Sequence, residues 1–113
     1  MKLHITEEAK DQMRRLQPEG KTSLRLFYDI DGCGCGVNGM PIIYFTNEAQ
    51  TKYDEQVENE DYLIFIDNQQ KTFFEPEMTL AWNGKLFQLK SRKGLLNPSI
   101  SSRVLKTGGM MNE

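Results

Sequence analysis

The chain is poor in the residues that do most protein chemistry. It has two cysteines, one histidine and one tryptophan in 113 residues. Two thiols cannot build a disulfide framework, and one histidine cannot give a metal ion a pair of imidazoles. Long apolar runs are missing too, since none approaches the roughly 20 residues that span a bilayer. The opening, MKLHITEEAKDQ, turns acidic and polar where an export signal would turn apolar. A cytoplasmic protein with reduced thiols and no membrane partner is expected. Neither charge dominates: 14 Lys and Arg against 16 Asp and Glu leave a formal charge of −2, which gives no reason to expect nucleic acid as a partner. Signatures of hydrolases and nucleotide binders are also absent. There is no Gly-x-Ser-x-Gly, and no glycine loop followed by a helix bearing Lys and Ser or Thr. No catalytic residue is assigned, and a non-enzymatic protein is expected.

What remains is the length and make-up of one ordinary globular domain. Thr6 is a natural N-cap, with Glu7 and Glu8 in the first turn, where the helix dipole favours negative charge. Ala9, Met13 and Leu16 follow at helical spacing, Asp11 and Arg15 can pair outside, and Pro18 and Gly20 end the segment. KLHI, ahead of it, is too short to assign. The period then changes to two. In TSLRLFYDI, Leu24, Leu26, Tyr28 and Ile30 alternate with Arg25, Phe27 and Asp29. Residues 41–46, 62–66, 71–75, 78–83 and 85–91 also read as strands, with a tight hairpin turn at Asn83-Gly84 and another turn at Asp67-Asn68. The fold class is α+β and mostly β: a short N-terminal helix packed on mainly antiparallel strands.

Residues 1–100 form the expected core domain. Residues 101–113, ending KTGGMMNE, form a tail with the composition of a flexible end. Two stretches are charge-biased: five acids between Asp54 and Asp61, and six Lys or Arg without an acid over residues 85–106. Both read as solvated loop and strand faces.

Both cysteines sit in DIDGCGCGVNG, one residue apart. Thiolates are soft ligands suited to iron, zinc and copper(I), so Cys33 and Cys35 are the candidate metal ligands. Gly32, Gly34 and Gly36 let the loop fold both sulfurs toward one ion and leave amide N–H groups free to donate to sulfur. A plain turn needs neither that many glycines nor any cysteine. Zinc sites and iron–sulfur clusters generally use four protein ligands, so the other two must come from a second subunit, a small thiol or a partner protein; a homodimer would supply them by symmetry. The bland alternative is a glycine turn carrying two small buried thiols. A mononuclear zinc or copper(I) site would have to recruit His4. A thiol redox enzyme would need Cys-x-x-Cys at a helix start, which is not present. An interaction module without metal would use Trp82, Phe73, Phe74 and Phe87 as its contact surface.

The layout resembles the HesB/IscA-like family of A-type iron–sulfur cluster carriers and scaffolds. ITEEAKDQMRRL is similar to that family's opening strand and helix, and SLRLFYDIDGCGCG to its strand and glycine–cysteine loop. YLIFID, ending at Asp67, and FQLKSRKGLLNPS, ending in Asn97 and Pro98, resemble later family segments, so that the likeness runs over roughly residues 3 to 100. It implies a HesB-like, β-rich fold and an iron–sulfur cluster or iron held by cysteine. It also implies a non-enzymatic role in cluster assembly or delivery, with assembly proteins or apo-protein clients as partners. The family's carriers typically add a Cys-Gly-Cys pair near the C-terminus. Here SISSRVLKTGGMMNE follows Pro98 with no cysteine, while Cys35 is an extra thiol beside the family-like Cys33.

Overall fold

The structure, a computed structural model, describes residues 1–28, 40–47 and 53–107. Along them run β1 (Lys2–Ile5), α1 (Glu7–Leu16), β2 (Ser23–Tyr28), β3 (Pro41–Thr46), β4 (Asp54–Val57) and β5 (Leu63–Asp67). After a 3₁₀ turn at Lys71–Phe73 come β6 (Glu77–Trp82), β7 (Phe87–Ser91), β8 (Gly94–Ile100) and α2 (Ser102–Thr107). The α+β, mostly β class is borne out.

α1 starts as its sequence requires. The Thr6 hydroxyl accepts the Ala9 N–H at 3.2 Å, acids fill the first turn and Arg14 and Arg15 the last. Ala9 and Met13 are fully buried. Asp11 pairs with Arg14 instead of Arg15; both lie one turn along the same face, and the i+3 partner is the one taken.

The strands form two four-stranded sheets, in the orders β1-β6-β7-β8 and β3-β2-β5-β4. β1–β6 and β2–β5 are parallel pairs and the rest antiparallel. One face of each sheet turns inward. Leu3, Ile5, Met78, Leu80, Phe87 and Leu89 from the first meet Leu24, Leu26, Ile43, Phe45, Ile64 and Ile66 from the second in a single core. α2, whose Val104 and Leu105 are buried, packs on β3, and α1 on β6. The sheets also meet at two seams. β1 joins the far end of β4, with the Leu3 N–H donating to the Glu58 carbonyl and the Glu58 N–H to the Met1 carbonyl, both at 3.0 Å. At the opposite seam β8 comes alongside β3.

Five expectations need correction. Residues 71–75 are no strand. β5 is already paired on both edges, by β2 and β4, so a returning strand has no edge to join. The chain instead keeps turning, with Phe74 buried and Phe73 exposed. The acidic stretch is not merely solvated, for Asp54–Val57 is strand β4 and the Asp54 side chain is only 2% exposed. The basic stretch holds the unforeseen strand β8, whose Gly94, Asn97 and Pro98 argue locally against a strand. Of the four aromatics proposed as a contact surface, Phe74 and Phe87 lie in the core, Trp82 packs on Phe87 and Phe73 alone is exposed. The tight turn is real but lies one residue further on, at Gly84-Lys85, since the Asn83 N–H donates to the Leu86 carbonyl at 3.1 Å. Trp82 pairs with Phe87, the Asn83 Oδ1 accepts the N–H groups of Lys85 and Leu86, and Gly84 takes a φ of 99°.

Candidate functional site

Cys33 and Cys35, with Gly32, Gly34 and Gly36, lie outside the described residues, as do Asp29 and Ile30. The residues on which that loop is strung are described. β2 delivers the chain into it at Tyr28 and β3 takes the chain back at Pro41, these two being the last partners of the β2–β3 ladder.

Tyr28 and Pro41 face each other as one of the ladder's alternating non-hydrogen-bonded pairs, a position that suits a proline, and the Tyr28 N–H points to the other flank, where it donates to the Gln70 Oε1 at 2.9 Å. The Gln70 Nε2 donates back to the Tyr28 carbonyl, also at 2.9 Å. One side-chain amide thus stands in for the next residue of β5, whose own parallel pairing with β2 stops at Leu26–Ile66. The turn after β5 presents that amide. The Asp67 carboxylate accepts the Gln69 N–H, the Asp67 carbonyl accepts the Gln70 N–H, each at 2.8 Å, and the Gln70 carbonyl accepts the Phe73 N–H. The same turn brings the Phe73 ring flat against the Tyr28 ring, 4.0 Å between centroids and 3° between planes.

Pro41 is held from the other side. Its carbonyl accepts the Nδ2–H of Asn97 at 2.8 Å, across the β8–β3 seam. Asn97 is 1% exposed, and its Oδ1 accepts the Ser99 N–H at 3.0 Å, so the buried amide is well satisfied. The register of β8 explains why an asparagine faces inward. Ser91 opposes Gly94 and Lys90 opposes Leu95, but Leu89 opposes Asn97, not Leu96, and Phe87 opposes Ile100. An irregularity on each side of Asn97, the second containing Pro98, rotates it onto the core face.

Charge at this end of the second sheet is paired. Arg25 on β2 reaches over β5 to grip Asp54 through two hydrogen bonds, at 3.0 and 2.8 Å, with the two side chains 11% and 2% exposed. Lys71 pairs with Glu55 at 2.8 Å. Sequence reasoning missed both Gln70 and the Arg25–Asp54 pair. Nothing marks Gln70 beyond its place just after a turn, and Asp54 is camouflaged among exposed acids.

His4 is not brought to this end. It is exposed on the outer face of β1 beside Thr79, and β1 joins β4 at the end remote from Tyr28 and Pro41. It borders an open depression of about 520 Å³ with Lys2, Glu77, Lys90 and Arg92, where Glu77 lies 3.8 Å from Arg92. Among the described residues no three His, Cys, Asp or Glu side chains are grouped as a metal ion would need, and no helix is long and apolar enough to cross a membrane.

Comparison with known proteins agrees with this architecture. The chain is 37% identical over 109 residues to the uncharacterized protein YqkB of Bacillus subtilis (strain 168), covering 92% of this chain and 99% of that one. A crystal structure of a candidate Fe–S biosynthesis protein from Lactobacillus acidophilus superposes with a TM-score of 0.71 at 25% identity, over 96% of both chains. SufA of Escherichia coli, involved in biosynthesis of iron–sulfur clusters, shares the fold at a TM-score of 0.52 and 24% identity over 79% of this chain and 77% of that one. IscA crystallised with the [2Fe–2S] cluster shares it at 0.59 and 15% identity, over 88% and 98%. Residues 1–103 match the family described as iron-sulphur cluster biosynthesis. The strand and glycine–cysteine motifs of the sequence that suggested HesB/IscA-like relatives are thus met by a match over nearly the whole chain, and the protein belongs to that iron–sulphur cluster biosynthesis family.

Proposed function

We propose that the protein holds an iron–sulfur cluster, or iron, as cargo in cluster assembly or delivery, through Cys33 and Cys35, and catalyses no reaction of its own. The observation that carries this reading is the placing of the chain's two thiols, with their glycines, between Tyr28 and Pro41 in a chain of this family. The structure of IscA with the [2Fe–2S] cluster makes that cluster the first cargo to try. Gly32, Gly34 and Gly36 serve as loop-shaping residues and amide donors to sulfur. Two thiolates are half of an ordinary ligand set, so cargo binding uses the same loop of a second copy, a small thiol, or a partner among assembly proteins and apo-protein clients. Incomplete ligation suits a carrier, because cargo must leave. A reducing cytoplasm keeps both thiols available.

A zinc or copper(I) site completed by His4 fits less well, since His4 stands on the outer face at the far end of the molecule. The test is anaerobic reconstitution of wild type and of a Cys33→Ser/Cys35→Ser variant with ferrous iron and sulfide. Iron, sulfide and subunit mass are measured for both. A coloured, stoichiometric product in the wild type alone supports the reading, and a doubled mass puts the cargo between two copies. If both proteins stay colourless the carrier reading is lost, and zinc and then a protein partner become the next ligands to test.

A further inference from the structure

We propose that the outer face of the first sheet, around Lys2, His4, Lys90 and Arg92, is a docking surface for an acidic segment of a partner protein. The surface lies away from Tyr28 and Pro41 and does not depend on the cargo-binding reading of the cysteines.

β1, β6 and β7 lay this face out in rows. Lys2 stands beside Glu77, and His4 beside Thr79, which in turn opposes Lys90. Arg92 comes just past the end of β7. These side chains point outward because Leu3, Ile5, Met78, Leu80 and Leu89, which alternate with them, fill the core. Among the described residues, the open depression of about 520 Å³ is thus lined by three cations, an imidazole and one carboxylate, in a chain whose formal charge is −2. The carboxylate offsets little of that charge. Glu77 meets Arg92 only at 3.8 Å, with the two side chains 64% and 91% exposed. Lys2 and Lys90 meet no carboxylate among the described residues, whereas Lys10, Lys71 and Lys93 each do. An exposed face with an excess of one charge attracts a partner of the other.

Spacing decides the form of the anion. β1 and β7 are two strands apart, about 10 Å, and successive outward residues of one strand are about 7 Å apart. The cations therefore spread over a wider patch than one phosphate covers, and they match carboxylates carried at alternate positions of an extended peptide. A nucleic-acid backbone fits poorly. Glu58, Glu60 and Asp61 line the adjoining hollow that also borders Lys2 and His4, and Glu77 sits within the basic face itself.

The probe is a fluorescein-labelled octapeptide of alternating glutamate and serine, titrated with the unloaded, reduced protein and followed by fluorescence anisotropy. Wild type is compared with Lys2→Glu/Lys90→Glu, with Glu77→Gln, and with Lys85→Glu/Lys106→Glu, which makes the same change of net charge away from the depression. The first should weaken binding about 10-fold at low salt. Glu77→Gln should tighten it about 2-fold, and the third should stay within about 2-fold of wild type. Raising the salt to about 0.15 M should narrow these gaps. Lys2→Gln/Lys90→Gln, which removes charge without adding carboxylates, should fall between wild type and the reversal, and it guards against a reversal that disturbs folding. A wild type that binds no better than Lys2→Gln/Lys90→Gln overturns the proposal. Equal weakening by the two charge reversals overturns it too, because net charge alone would then attract the peptide. A labelled oligothymidylate of the same length is the second ligand. If it binds more tightly than the peptide and is lost in the same variants, the face is a nucleic-acid site and the proposal falls. No metal is loaded, so the outcome is independent of the reconstitution of the cysteine loop.

Discussion

The two seams that join the sheets are built alike around an asparagine, yet they differ in what backs the asparagine up. At the β1–β4 seam the Asn59 Nδ2 donates to the Leu3 carbonyl, and its Oδ1 accepts the N–H groups of Asp61 and Tyr62, all at 2.8 Å. At the β8–β3 seam Asn97 donates to the Pro41 carbonyl and accepts from Ser99. Beside Asn59, however, two backbone hydrogen bonds already tie Leu3 and Met1 to Glu58. Among the described residues no strand pairing joins β8 to β3. A seam closed by backbone tolerates almost any sequence, whereas one closed by a side chain is only as good as that side chain. The second kind is the one that borders the cysteine loop.

Asn97→Ala should therefore be the costliest change at either seam. It leaves a buried carbonyl at Pro41 without its donor, a loss of about 1–3 kcal/mol, seen as a lower urea midpoint at unchanged slope. Asn59→Ala removes more hydrogen bonds but should cost less, about 1 kcal/mol or below, because water can reach Asp61 and the backbone bonds to Glu58 persist. Equal midpoints for the two variants would mean that the backbone bonds carry no part of the first seam.

A smaller effect separates the seams by pH. Burial pushes the Tyr62 hydroxyl above its ordinary value of 10.0. A group that holds its proton more tightly when folded adds stability below its unfolded value and loses it as pH rises through the folded one. Alkaline titration from pH 10 upward should thus loosen the Asn59 side, where the Tyr62 N–H is held, and Tyr62→Phe should flatten that dependence. If the phenylalanine variant loses stability along the same curve, Tyr62 is not its source.

Lys10, whose charge is favoured first by its hydrogen bond to Glu7 and then by that to Asp61, also ties α1 to this seam. Its partners are exposed, so Lys10→Gln should shift the urea midpoint least of all, and any shift should vanish in 1 M salt. A salt-resistant loss would make this pair a real part of the seam.

Legibility in the sequence followed the range of the interactions. The N-cap of α1, its buried stripe and the turns at Asp67 and Asn83 were readable, because each depends on residues within one turn of chain. β2, β3 and β6 were readable because their alternation or aromatic content has no local competitor. β4 and β8 were hidden by their own residues. Asp54 looks solvated until Arg25 from another strand buries it, and Pro98 looks like a break until the neighbouring irregularities absorb it. The candidate ligands, Cys33 and Cys35, stand out by composition alone. Nothing local to them points to Gln70 or Asn97, which meet the loop's stems from far along the chain.

Composition and local pattern were thus enough for the class of fold, the helix, most of the strands and the loop to watch. They suffice because capping, alternation and soft-ligand chemistry are properties of residues close in sequence. Which strands share a sheet, why residues 71–75 turn instead of pairing, and which amides hold Tyr28 and Pro41 depended on edges left vacant and carbonyls left unpaired. Those needs arise only once the sheets have come together, and two amides placed by turn and bulge meet them.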